Sequence, residues 1–370
     1  MSRFEHESRS NEETAAAPNA RVVTRTLGAE LHLIKSKLAE YGARTRERLY
    51  EYLPDQEPRE YLYDLVAAYP ERSSGMLRPS LLIASARAFG ATIEDALNTA
   101  AAVELMHNAM LVHDDIEDIS DLRRGAPSLH QQAGVPLAMN AGDALGLLCL
   151  QPLLANASAL GPLLTLWILE EALETMFQAV EGQALELGWR KDNVCDLDSS
   201  DYLRMVTKKT CWYTAIFPCR AGALIATGRA LRPEQFVQFG YFLGTTFQIQ
   251  DDILNVAGNR DIYGKDFAGD IVEGKRTLML IHLFKHATTV DQSRLREYFA
   301  LPYSERRNED VQWIVTLMED YGSIEFSRSF ARRYAGAALF EFSKAFSGAD
   351  DSEDSRFIES LVIHTLERKV

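Results

Sequence analysis

ELMHNAMLVHDDIEDISDLRRG, residues 104–125, holds the contradiction that decides the fold. Its first half continues ALNTAAAVELMHNAMLV (96–112), a run apolar enough for a buried helix. Its second half then sets five acids, Asp114, Asp115, Glu117, Asp118 and Asp121, into eight residues. On a helix each residue advances about 100°, so Asp114, Asp118 and Asp121 share one narrow face with Asp115 at its margin. Like charges four residues apart repel, and burial makes the repulsion worse. A solvated helix end is the plain account of most acidic runs. Carboxylates at the inner end of a buried helix instead call for cations, and oxygen-only ligands suit Mg²⁺, which completes its shell with phosphate and water.

A second cluster, FQIQDDILN (247–255), repeats the pattern between apolar flanks. Gln248, Asp251 and Asn255 share a face, and Asp252 lies beside it. One DD pair is a weak signal; two, on two apolar helices of one chain, are a much stronger one. YGKDFAGDIVEGKRTL (263–278) follows and brings Lys265, Asp266, Asp270 and Lys275. Further cations lie nearby in sequence or on apolar helices: Arg123 and Arg124, Lys208 and Lys209 in LRMVTKKTCWYTAIF (203–217), and Arg78 in GMLRP. Singly, each reads as a snorkelling surface residue. Together with the acids they supply what a diphosphate needs, guanidinium forks and ammonium point charges around metal ions.

Outward from these clusters the chain reads as helix almost throughout. Apolar spacings of three and four predict helices near 22–52, 79–90, 93–119, 142–155, 161–188, 199–227, 233–256, 275–287, 309–320, 322–346 and 355–367. No stretch alternates convincingly as a strand, and no long linker divides the 370 residues. This predicts one all-helical domain over 21–370, behind a polar, Glu-rich tail at 1–20 that reads as disordered. Lys+Arg number 39 against 53 Asp+Glu, a net charge of −14, which argues against a nucleic-acid partner. The four cysteines form no CxxC pair, so a reducing, cytoplasmic setting is the expectation. Neither a signal core nor an apolar run of about 20 residues is evident, so no transmembrane segment is expected.

The combination resembles the trans-polyprenyl diphosphate synthases, class I isoprenoid synthases of the geranylgeranyl type. The blocks that carry the resemblance are LRPSLLIASARAFG, ELMHNAMLVHDDIEDISDLRRGAPSLH, NAGDAL, LRMVTKKT, FQIQDDILN, YGKDFAGDIVEGKRTLMLIHL and MEDYGSIEFSR. It implies an all-α fold: a large single-domain bundle of antiparallel helices around a deep central cavity, in a homodimer. It also implies a prenyltransferase that condenses an allylic prenyl diphosphate with isopentenyl diphosphate. Asp114, Asp115 and Asp118 match the family's first aspartate-rich motif and Asp251 and Asp252 the second, with Asn255 where many members have a further Asp. These residues would hold about three Mg²⁺ on the allylic diphosphate. Arg123, Lys209, Lys265 and Lys275 resemble further partners of that diphosphate. Arg78, His107 and Arg124 resemble the groups that bind isopentenyl diphosphate. Lys209, Thr210 and Gln248 match positions whose dipoles face the allylic cation, although plain helix-surface hydrogen bonding accounts for Thr210 and Gln248 equally well.

The resemblance has one departure. Gly75 stands where the family usually has a Lys that grips isopentenyl diphosphate; Glu71 has the wrong sign to compensate, and Arg72 is the nearest cation. That leaves two alternatives beside the synthase: a terpene cyclase on the same scaffold, and a non-catalytic subunit that tunes another synthase. Residues four and five before the first Asp set product length in the family, and Met110 and Ala109 stand there. Aromatics at these positions give short products, so a twenty-carbon geranylgeranyl product is expected. Release of such a lipid implies transient contact with a membrane.

Overall fold

The structure is a computed structural model that describes residues 20–72, 74–258 and 268–368. It is helical almost throughout, as the periodicity predicts. Helix α1 (Ala20–Tyr50) is a single helix, and α2 (Asp64–Glu71) follows a wide turn at 59–63 that the sequence did not reveal. The next pair is α3 (Leu77–Ala88) and α4 (Ile93–Asp118). Thr92 and Asp95 close a capping box at the start of α4. This helix is buried along most of its length because α1, α3, α6 (Val135–Leu148), α7 (Leu150–Ala159) and α10 (Phe217–Thr227) all pack on it.

Ile119 adopts left-handed backbone, with φ 57°, and stops α4 at Asp118. Asp121 therefore leaves the face it would share with Asp114 and Asp118 on a longer helix. It is exposed, and its carbonyl accepts the Ser128 N–H at 2.9 Å. The chain instead forms a small hairpin, β1 (Leu122–Arg123) against β2 (Ala126–Pro127). Its turn residues Arg124 and Gly125 have φ of 54° and 76°, the left-handed pair that tight hairpins use. Two-residue strands are too short to give an alternating pattern, which is why none was read there.

Helix α5 (Leu129–Ala133) leads into α6 and α7, and α8 (Pro162–Lys191) runs beside α7. The expected 199–227 helix is three pieces: α9 (Ser199–Val206), a wide π-helical segment over Thr207–Ile216, and α10. Such under-wound stretches cluster at functional sites, and this one carries Lys209 and Thr210. Gly182 lets α8 approach it: a Cβ there would lie 2.2 Å from the Lys209 backbone nitrogen.

Helix α11 (Val237–Ala257) carries the second acidic cluster and packs on the π segment and on α16 (Ser323–Ala345). Between them come α12 (Gly269–Glu273), α13 (Leu278–His286), α14 (Thr289–Ala300) and α15 (Asn308–Asp320), with α17 (Glu353–Glu367) last. Helix α14 is too polar to have been read from periodicity. Two apolar clusters form the core, one around α3, α4 and α10 and the other around α9, α13, α15 and part of α11. By length and composition, 135–159 could cross a bilayer; in the fold it divides at Cys149 into α6 and α7 and packs on α4.

Candidate active site

Both core clusters contribute walls to one cavity of about 770 Å³, within the usual range for a small-molecule site. Helix α4 presents His107, Met110, Asp114 and Glu117 to it, residues three and four apart on one face. Helix α11 presents Phe247, Gln248, Asp251, Asp252 and Asn255. Asp270, at the start of α12, joins them.

The three aspartates of the first motif have different surroundings. Asp114 faces the cavity, with Lys209 Nζ at 3.3 Å and Arg123 Nη2 at 3.5 Å. Asp115 does not line it. It is fully buried, accepting from Arg123 Nε at 2.8 Å, from Arg123 Nη2, and from Tyr69 Oη at 2.5 Å. Tyr69 Oη in turn accepts the Leu129 N–H at 3.0 Å. Both Asp115 oxygens are thus committed to protein donors, and its place is that of a buried anchor for Arg123. Asp118 is also buried behind the cavity wall, between Arg190 Nη1 at 2.5 Å and Lys275 Nζ at 2.7 Å. Burial works against its charge, but Lys275, Lys209 and Arg190 hold its carboxyl below the ordinary range.

Asp252 of the second motif lacks that compensation. Burial and the neighbouring Asp270 carboxylate push Asp252 up to about 8, although Gln248 Nε2 and Tyr202 Oη both donate to it at 2.8 Å. Carboxylates crowded in a low-dielectric pocket take up a proton unless a cation separates them. Asn255 lines the cavity, and its Oδ1 accepts the Asp270 N–H at 3.2 Å, so it shapes the entry to α12. Thr210 Oγ1 donates to Gln248 Oε1 at 2.8 Å, which makes Thr210, Gln248 and Asp252 one hydrogen-bonded chain at the wall.

The cations are charged and face the acids. Lys209 donates to Glu186 Oε1 at 2.6 Å; burial opposes its charge, but Glu186 and Asp114 raise it above the ordinary range. Lys275 bridges Asp118, Asp270 at 3.6 Å and Glu273 at 2.6 Å, and so ties the first acidic cluster to α12. A second group stands at the hairpin. Arg78 reaches His107 Nε2 and Tyr213 Oη at 3.2 Å each, and Arg124 Nη1 donates to the Tyr69 carbonyl at 3.1 Å. Burial, then Arg78 and Arg124, push the His107 ring well below its ordinary value, so it is a neutral hydrogen-bonding group. Arg72 donates to the carbonyls of Arg123 and Pro127, both at 2.9 Å, and braces the hairpin. A Cβ on Gly75 would meet no atom within 4 Å. Lys265 lies outside the described residues.

The remaining wall is apolar. Helices α4 and α8 both end at the acids, since Arg190 of α8 reaches Asp118 of α4. About two turns before Asp118 on α4 lie Met110 and Leu111, and about three turns before Arg190 on α8 lie Ala179 and Val180. Ala109, by contrast, is buried in the core and off this wall. Sequence reading missed Glu186, Arg190, Tyr202 and Arg368. EGQALELGWR (181–190) did carry a signal: an acid and an arginine four apart on an apolar helix, the logic that exposed the first cluster.

The donor set fits Mg²⁺. Among the described residues no three His, Cys, Asp or Glu side chains form a closed metal cage. The carboxylate oxygens of Asp114, Asp251 and Asp252 at the cavity suit an ion whose other positions go to phosphate and water.

A family model for polyprenyl synthetase matches residues 59–318. The chain is 30% identical over 325 residues to a geranylgeranyl pyrophosphate synthase of Geoglobus acetivorans, covering 87% of this chain and 95% of that one. It is 31% identical over 296 residues to a short chain isoprenyl diphosphate synthase of Methanothermobacter thermautotrophicus, covering 77% and 87%. The crystal structure of a geranylgeranyl pyrophosphate synthetase from Pyrococcus horikoshii superposes with a TM-score of 0.80 at 28% identity, over 91% of this chain and 98% of that one.

Proposed function

The chain belongs to the polyprenyl synthetase family and is a prenyltransferase, and from that premise we propose that it extends an allylic diphosphate with isopentenyl diphosphate to the twenty-carbon geranylgeranyl product. One observation carries this reading. A single cavity gathers acids and cations at one end and runs along an apolar wall at the other. The cyclase alternative has only Gly75 in its favour, whereas Arg78 and Arg124 supply the cavity with a second set of cations.

In this reading Asp114 and Asp251, with Asp252, would hold Mg²⁺, while Asp118, paired with Arg190 and Lys275 behind the wall, fixes Lys275 beside them. The bound metal would neutralise charge on the departing diphosphate. Lys209, Arg123 and Lys275 add fixed positive charge where that negative charge grows. The allylic C–O bond breaks and its electron pair leaves with the diphosphate. Thr210 and Gln248 turn oxygen dipoles toward the carbocation, and the apolar wall keeps water from quenching it. The double bond of isopentenyl diphosphate, held by Arg78, Arg124 and neutral His107, attacks the cationic carbon. That attack forms the new carbon–carbon bond and leaves a cation on the isopentenyl unit; loss of a proton from the adjacent carbon to the departed diphosphate restores a double bond.

The growing chain would follow the apolar wall, so we assign its floor to Met110. Ala109→Phe would overpack the core, at a cost of about 1–3 kcal/mol. Met110→Phe should instead put a ring across the channel and shift the main product from twenty carbons to fifteen, read by mass spectrometry. A wild type that stops at fifteen, or a Phe variant with unchanged product, would move the floor elsewhere.

We also propose a homodimer. Leu163, Leu166, Leu173, Phe177 and Val180 leave an exposed apolar stripe on α8, beside exposed Leu147 on α6 and Leu150 and Leu154 on α7. Val180 is both 65% exposed and part of the cavity wall, so a partner on this face would also close the channel. The four cysteines are buried and unpaired, which supports a cytoplasmic setting. Release of so apolar a product calls for transient membrane contact, part of the same proposal.

A further inference from the structure

Arg368 is the first residue past α17, and no motif drew attention to it. Its Nη2 lies 3.0 Å from Asp251 Oδ1. Its guanidinium stacks 4.6 Å from the centre of the Phe247 ring, and its carbonyl accepts from Gln250 Nε2 at 3.3 Å. One turn of α11 therefore holds it by charge, ring and backbone together. The helix behind it is fixed: Phe357, Ile358, Leu361 and Val362 are buried, and Asp354 in its first turn accepts from Tyr41 Oη and from Arg87 Nε at 2.9 Å. Its side chain lines the same cavity as Asp252 and Asp270.

We propose that Arg368 is an exchangeable counter-ion: it neutralises Asp251 in the metal-free protein, yields that carboxylate to a divalent cation, and then binds the diphosphate the metal brings. A guanidinium and a metal ion compete for the same carboxylate oxygen. When the metal wins, the Phe247 stack and the Gln250 bond still hold the arginine at the site. Its planar fork of donors is then released within reach of an anion, and that fork matches phosphate oxygens in pairs. The inference rests on reading the cavity as a metal–diphosphate site.

Calorimetry on the full chain tests it with two probes, Mn²⁺ alone and inorganic pyrophosphate at saturating Mg²⁺. Arg368→Gln should bind Mn²⁺ several-fold more tightly than wild type, because the competitor is gone. It should bind pyrophosphate about tenfold more weakly, because a charge-assisted pair is lost. Arg368→Lys, which keeps the charge, should stay near wild type for Mn²⁺. Thermal melting of each variant checks that α17 remains docked. If wild type binds both probes and Arg368→Gln fails to show either change, the exchange is overturned while the cavity reading stands. If wild type itself binds neither probe, the cavity reading falls and takes this inference with it.

Discussion

Asp114→Ala and Asp251→Ala should each slow chain elongation at least about a hundredfold, with little change in thermal stability. Each carboxylate faces the cavity from a different helix, and each would hold metal that offsets charge on the leaving diphosphate. Removing one preorganised electrostatic contact of this kind costs about 2.7–4 kcal/mol of transition-state stabilisation. Stability should hold because neither residue is an isolated buried charge: Lys209 keeps Glu186 when Asp114 is lost, and Arg368 keeps its ring stack when Asp251 is lost. Steady-state rates at saturating Mg²⁺, beside melting curves, separate the two effects. Near wild-type rates in both variants would return the clusters to being acidic helix faces.

Asp115→Ala should behave in the opposite way, unfolding readily. Asp115 and Arg123 form a buried pair, completed by Tyr69, and without Asp115 the guanidinium keeps only the longer 3.5 Å contact to Asp114. Breaking such a pair from one side costs about 3–5 kcal/mol, because the remaining charge stays buried and unpaired. For a chain of this length that is a drop of several degrees in Tm, at most about 2–4 °C per kcal/mol, because the entropy of unfolding grows with chain length. Asp115→Asn, which still accepts a hydrogen bond, should recover part of the loss. Adjacent aspartates of one motif would thus fail for different reasons, one by chemistry and one by folding. A stable, inactive Asp115→Ala would show instead that this carboxylate serves the reaction directly.

The contrast between Asp114 and Asp115 also marks what the sequence could and could not convey. Helical period placed the two acidic clusters on apolar helices and brought Asp114, Gln248, Asp251 and Asn255 to faces that do share a cavity. It could not say where α4 would stop. Ile119 in left-handed backbone ends the helix, and Asp121 leaves the acidic face because of it. Nor could period distinguish which of two neighbouring aspartates turns inward, since that depends on Arg123 folding back through a hairpin whose strands are two residues long. Ala109 and Met110 present the same difficulty: adjacent on one helix, they face the core and the cavity respectively. Glu186 and Arg190 were legible in principle, as a charged pair on an apolar helix. Arg368 was not, because its role comes from a contact 117 residues away in the chain, with Asp251.

In the proposed reaction one cavity joins two diphosphates head to tail with the help of a divalent ion. Purified protein incubated with farnesyl diphosphate and labelled isopentenyl diphosphate, with Mg²⁺ or with a chelator in its place, tests this when the products are weighed. The expected product is a longer prenyl diphosphate, twenty carbons in the main, formed only when both substrates and Mg²⁺ are present. A cyclic hydrocarbon made from farnesyl diphosphate alone, or elongation that persists in the chelator, would contradict it.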